Sequence, residues 1–115
     1  MSRVRLEIDL DVLRQNFARI AERVSPCSVM AVLKANAYGL GTQPIARVLV
    51  DAGATRLGVA DVNEGLELKD MGVPIHILGA VLPREIAPAI ATGLTLPITD
   101  ADSAALISRE AIAQN

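Results

Sequence analysis

Four short runs that could form buried strands, each followed by residues at helical spacing, organise this 115-residue sequence. They start at Val29, Arg56, Ile75 and Leu94, at intervals of 27, 19 and 19 residues. Ser28 to Leu33 is too short and too continuously apolar for anything but a strand buried on both faces. The other strands read as Arg56 to Ala60, Pro74 to Gly79 and Gly93 to Ile98. Regular β–α alternation of this kind implies right-handed crossovers and a parallel sheet. The apolar content is aliphatic and alanine-rich, with Phe17 and Tyr38 the only aromatics, which suits helices packed on a sheet.

The intervening segments carry helix signals. Asp9 or Asp11 can cap a first helix whose apolar face is Leu13, Phe17, Ile20 and Val24, ended by Ser25-Pro26. Thr42 caps a second, with Pro44 in its first turn and Ile45, Val48, Leu49 and Ala52 as its stripe. A third runs roughly from Val62 to Met71, a fourth from Pro83 to Ala91, and a last begins at Thr99 or Asp100. Ahead of them all, Leu6 to Leu10 alternates apolar and acidic residues as a half-exposed strand would.

Two architectures fit the repeat. One is a small doubly wound sheet, nearly complete at this length. The other is a (β/α)8 barrel, which needs about 250 residues, so four βα units would be its half. A half barrel leaves two sheet edges and an unfilled interior, and needs its other half from elsewhere. The pattern alone leaves both open.

In either architecture, chemistry gathers where strands end. Lys34 stands there, followed at once by Ala35-Asn36-Ala37-Tyr38-Gly39-Leu40-Gly41. By alternation it shares a face with Val32 and Met30. Apolar neighbours would strip its amine of water and bias it toward the neutral nucleophile that reacts with aldehydes. Tyr38 could meet an anionic group that the adjacent glycines let approach the backbone. The competing reading is plainer: a lysine just past a strand is usually a solvated charge, and Gly-x-Gly is ordinary loop chemistry.

Other side chains offer less. A formal net charge of −2 and the scarcity of aromatics argue against nucleic-acid binding. Cys27 is alone and His76 is the only histidine, so no metal site is expected. His76 reads as a packed or edge histidine and Cys27 as an inert small residue. Glu64, Glu67 and Asp70 read as a solvated helix face, and Asp100 and Asp102 as charges favourable at a helix start. No long apolar stretch follows Arg3 and Arg5, so neither a signal peptide nor a membrane span is expected, and the cytoplasm is the natural compartment.

Ala31-Val32-Leu33-Lys34-Ala35-Asn36-Ala37-Tyr38-Gly39-Leu40-Gly41 resembles the pyridoxal-phosphate lysine motif of bacterial alanine racemases, A-V-x-K-A-[ND]-A-Y-G-H-G. Glu7 to Asp11 resembles the family's first strand and the start of its helix. Ala52 to Ala60 with Glu64, and Ile77-Leu78-Gly79, resemble its next two strands, so the likeness covers nearly the whole chain. It implies a (β/α)8 barrel, of which residues 1–115 are the N-terminal half, followed in the family by a β-rich domain. It further implies a cytoplasmic, bacterial, homodimeric isomerase that interconverts L- and D-alanine for peptidoglycan.

By the same resemblance, Lys34 is the Schiff-base lysine and one of two bases, Tyr38 binds the cofactor phosphate, and Val32 and Leu78 line the pyridoxal 5′-phosphate. Leu40 replaces the motif's usual histidine, which leaves substrate choice within the family open. The opposite-face base is a tyrosine in the family's C-terminal domain, and this chain has no second tyrosine. The expectation is therefore the N-terminal part of a longer or complemented protein, inactive alone. Two other readings compete: a non-catalytic pyridoxal-phosphate-binding barrel, and an inactive structural α/β module.

Overall fold

The structure, a computed structural model, describes residues 3–115. Three strands, β1 (Met30–Val32), β2 (Arg56–Val59) and β3 (Ile75–Ile77), form a parallel sheet in chain order. Ala31 pairs with Leu57 and Leu57 with Ile75; one row further, Val32, Gly58 and His76 lie side by side. Helices α1 (Leu10–Val24), α3 (Thr42–Asp51), α4 (Val62–Glu67), α5 (Pro83–Thr92) and α6 (Ala101–Ala113) accompany it, with a single helical turn, α2 (Lys34–Tyr38), directly after β1.

The alternation of side chains divides the sheet into two unlike faces. Ala31, Leu33, Leu57, Val59, Ile75 and Ile77 point one way and are buried with Phe17, Ala46, Leu49, Leu68, Met71 and Ala89 in a single core. Met30, Val32, Gly58, His76 and Leu78 fall on the other face, where Val32 is 38% and Leu78 50% exposed. The expectation of strands buried on both faces is thus corrected: helices cover one face only. The described residues form a slab of 48 × 44 × 23 Å with a radius of gyration of 16.3 Å, above the roughly 13 Å of a compact domain this size. That open, parallel α/β arrangement is consistent with the N-terminal half of a barrel.

Two expected strands are not formed. Residues 4–9 contain no strand, and α1 begins at Leu10. An alternating segment becomes a strand only against a partner, and no neighbouring strand among the described residues pairs with it. The fourth strand is reduced to one bridge between Thr95 and His76, held by Ile77 N–H to Thr95 O (2.9 Å) and Thr95 N–H to Ile75 O (2.8 Å). Pro97, lacking an N–H, stands two residues on.

Caps follow the sequence more closely. Asp9 accepts from the N–H groups of Asp11 and Val12 at 3.0 and 3.1 Å. Along α1 only Phe17 is buried, Leu13 is half-buried, and Ile20 and Val24 are exposed. Thr42 is the first residue of α3 rather than its cap, which is Gly41. The third helix, α4, stops at Glu67, short of Met71. Asp100 caps α6, accepting from Ser103 N–H at 2.7 Å.

Two outcomes follow for stability. Leu57 has no exposed surface, so Leu57→Ala should lower unfolding free energy by about 2–5 kcal/mol in denaturant titrations. The Ser103 backbone N–H, then its hydroxyl, hold the Asp100 carboxyl below its ordinary value. A carboxylate so lowered stabilises the fold at neutral pH, and that contribution is lost as pH falls through its folded-state value. The stability gap between the parent chain and Asp100→Ala should therefore shrink on acidification, read from denaturant midpoints at neutral and acid pH.

Candidate active site

The carboxyl end of β1 is built from an unusual backbone. Leu33 N–H still extends the ladder to Gly58 O at 2.8 Å. Lys34 follows, and then Ala35, Asn36, Ala37 and Tyr38 all have φ between 53 and 57°. The expected loop is instead one turn of left-handed helix, closed by Ala37 N–H to Leu33 O and Gly39 N–H to Ala35 O, both 2.9 Å. For L-residues this conformation crowds Cβ against the carbonyl and costs roughly 1–2 kcal/mol each, so on the order of 4–8 kcal/mol for four in a row. Gly39, at φ 85°, continues the same handedness without that penalty.

Such strain persists only where surrounding contacts over-determine it. Asn36 Oδ1 accepts from Thr42 N–H at 3.0 Å and from the Thr42 hydroxyl at 3.1 Å, and so satisfies the first orphan donor of α3 from six residues back. Ala37 is buried. Glu64, from α4, accepts from Ala35 N–H with one carboxylate oxygen at 2.8 Å and from Ala60 N–H with the other at 2.7 Å. The reading of Glu64 as a solvated helix face is therefore wrong: its carboxylate ties the ends of β1 and β2 together. Glu67 and Asp70 are exposed, in line with that reading.

The singled-out residues fall as follows. Lys34 is exposed at the end of β1, so the desolvation expected of its amine is not present among the described residues. Tyr38 ends the left-handed turn, 62% exposed. Val32 and Leu78 lie on the uncovered sheet face, at the ends of β1 and just past β3. A Cβ on Gly58 would sit 3.0 Å from both a Leu78 methyl and the Met30 sulfur, so this glycine lets the two apolar side chains close over the strand between them. His76 is half-buried beside Gly58 in the same row, and Cys27 is exposed. Among the described residues no cluster of three or more His, Cys, Asp or Glu could hold a metal, and no helix is long and apolar enough to cross a membrane.

Sequence reasoning passed over two residues that shape this end of the sheet, Asn36 and Glu64. Asn36 carried a signal, since asparagine tolerates left-handed backbone. Asp61-x-x-Glu64 has the spacing of a capping box, although its second partner, Ala35, lies 29 residues away.

These features define a parallel α/β half-barrel with a lysine at the end of its first strand. Residues 8–115 match the family described as alanine racemase, N-terminal domain, and the chain belongs to the alanine racemase family, a family of isomerases. It is 45% identical over 111 residues to an alanine racemase of Desulforamulus reducens, covering 94% of this chain and 30% of that protein. Among solved structures, an alanine racemase of Bacillus anthracis with bound L-Ala-P superposes with a TM-score of 0.78 at 37% identity, covering 84% of this chain and 26% of that one. A histidine racemase of Leuconostoc mesenteroides gives 0.83 at 32% identity, with 92% and 29% covered. The chain thus spans less than a third of the length of these relatives.

Asn36→Ala should cost about 1–2 kcal/mol of stability, as lost helix caps do, while Asn36→Asp, which keeps an acceptor oxygen, should retain most of it. Matched denaturation curves of the two variants check this.

Proposed function

We propose that this chain is the cofactor-holding part of a pyridoxal 5′-phosphate-dependent amino-acid racemase acting on alanine. The observation that carries the reading is Lys34: an exposed primary amine at the carboxyl end of β1, preceded by an uncovered apolar sheet face. The donor set suits the cofactor. An aldehyde calls for a primary amine, an aromatic ring for apolar contacts, and a phosphate for a hydroxyl donor. Lys34, the exposed pair Val32 and Leu78, and the exposed Tyr38 are of those types.

When bound, the cofactor supplies a conjugated electron sink for the charge left on an amino-acid Cα after its proton departs. Lys34 would hold the cofactor through Nζ and, as a free amine, would take or return a proton on one face of the substrate Cα. The Tyr38 hydroxyl would donate to the phosphate, and Val32 and Leu78 would cover the ring and exclude water. Inversion also needs a proton carrier on the opposite face. Tyr38 is the chain's single tyrosine, so in this proposal that second base comes from beyond these residues, in the remaining barrel and β-rich domain of a homodimeric protein. Cytoplasmic supply of D-alanine to peptidoglycan is the corresponding cellular role.

Alanine is favoured by the name of the Desulforamulus reducens relative, an alanine racemase 45% identical to this chain. The likeness to a histidine racemase makes a larger amino acid the alternative substrate, and Leu40 in place of the motif's histidine falls in the same segment. Turnover of alanine and histidine by the complete protein separates them.

Borohydride reduction of the protein mixed with pyridoxal phosphate, followed by peptide mapping, should find the pyridoxyl group on Lys34. Lys34→Ala should abolish it; a label on Lys69, or none, would remove the reading. Tyr38→Phe should weaken cofactor binding about ten- to hundredfold, as expected for loss of a hydrogen bond to a charged group, measured by absorbance titration.

A further inference from the structure

We propose that Glu64 is the positioning residue for Lys34: its carboxylate fixes the direction in which the lysine leaves β1. The inference rests on the cofactor-holding role of Lys34 argued above and adds a residue to it. Glu64 is three residues past Asp61, the cap of α4, and its own N–H is held by Asp61 Oδ1 at 3.0 Å. At that position a glutamate ordinarily turns back to one free N–H at its own helix start. Glu64 reaches past the cap instead: its Oε2 accepts from Ala60 N–H, just ahead of Asp61, at 2.7 Å. Its other oxygen does something a cap does not require. Oε1 reaches a different strand end and accepts from Ala35 N–H at 2.8 Å.

That N–H belongs to the peptide bond leaving Lys34. Holding the peptide plane sets the ψ of Lys34, and with it the path of the chain on either side of the lysine. Ala35 is also the first of the four left-handed residues. Unpinned, the peptide after Lys34 is free to relax toward the right-handed region that L-residues prefer, which would re-aim the lysine. Each amide here meets its own oxygen, so the clamp as built uses two acceptor atoms and no donor. An ionised carboxylate meets that requirement, whereas a carboxamide offers one oxygen and an NH2 that would face an N–H.

The test uses the complete protein, stripped of cofactor and then mixed with pyridoxal phosphate. The rate of covalent attachment at Lys34 is followed by visible absorbance and by borohydride trapping with peptide mapping. Glu64→Gln keeps the shape and removes one acceptor; it should slow attachment by about tenfold or more, the factor that 1.4 kcal/mol represents. Glu64→Asp keeps both oxygens but is shorter, and should fall between the parent and Glu64→Gln. Ile86→Val, in the buried core of α5, lowers stability without touching the clamp and should leave the rate unchanged, so a purely structural role for Glu64 would not separate it from this control. Equal rates in the parent and Glu64→Gln would overturn the positioning role while leaving Lys34 as the attachment point. No attachment in the parent protein would instead sink the cofactor reading itself.

Discussion

A parallel sheet covered by helices on one face is the constraint from which the other features follow. Parallel ladders normally have both faces covered. Here the odd-numbered positions of β1 and β3 and Leu57 and Val59 of β2 meet the helices, leaving Met30, Val32, His76 and Leu78 on the other side. The uncovered side leads straight to Lys34. The same property accounts for the flat shape and for relatives more than three times as long, in which this chain matches one part.

The strand-end backbone is held against its own preferences. Four left-handed residues store an energy comparable with a sizeable part of the net stability of a small domain, about 5–15 kcal/mol. The compensating contacts come from three places: Asn36 to the start of α3, Ala37 into the core, and Glu64 across from α4. Because the Glu64 contact joins the second βα unit to the first, the lysine's position depends on the two being assembled together. Local sequence by itself would not hold it.

Much of the architecture was legible because it depends on short-range signals. Hydrophobic patterning gave β1, β2, β3 and the long helices, and of the paired cap candidates Asp9 or Asp11 and Thr99 or Asp100, Asp9 and Asp100 are the ones that cap. The failures share a physical cause. Leu6 to Leu10 has a strand's alternation with no strand to pair against, and Thr95 has a pairing partner but Pro97 close behind it. The handedness of the turn at Ala35 ran against every local preference of alanine. At the site, the place of Lys34 at a strand end was readable from alternation, and its family context from the motif around it. The clamp by Glu64 was not, since its decisive bond spans 29 residues.

The two margins of the sheet have different characters. Beside β1, whose outer edge has no strand partner among the described residues, lies a groove lined by Leu13, Phe17, Ile20, Met30 and Val32. The opposite margin ends in a one-residue bridge followed by a proline, a blunt edge that offers little to a passing strand. Strand pairing is therefore polarised: edge-to-edge stacking of copies in an isolated preparation would begin at the β1 margin, where the exposed Ile20 is a place for a solubilising substitution.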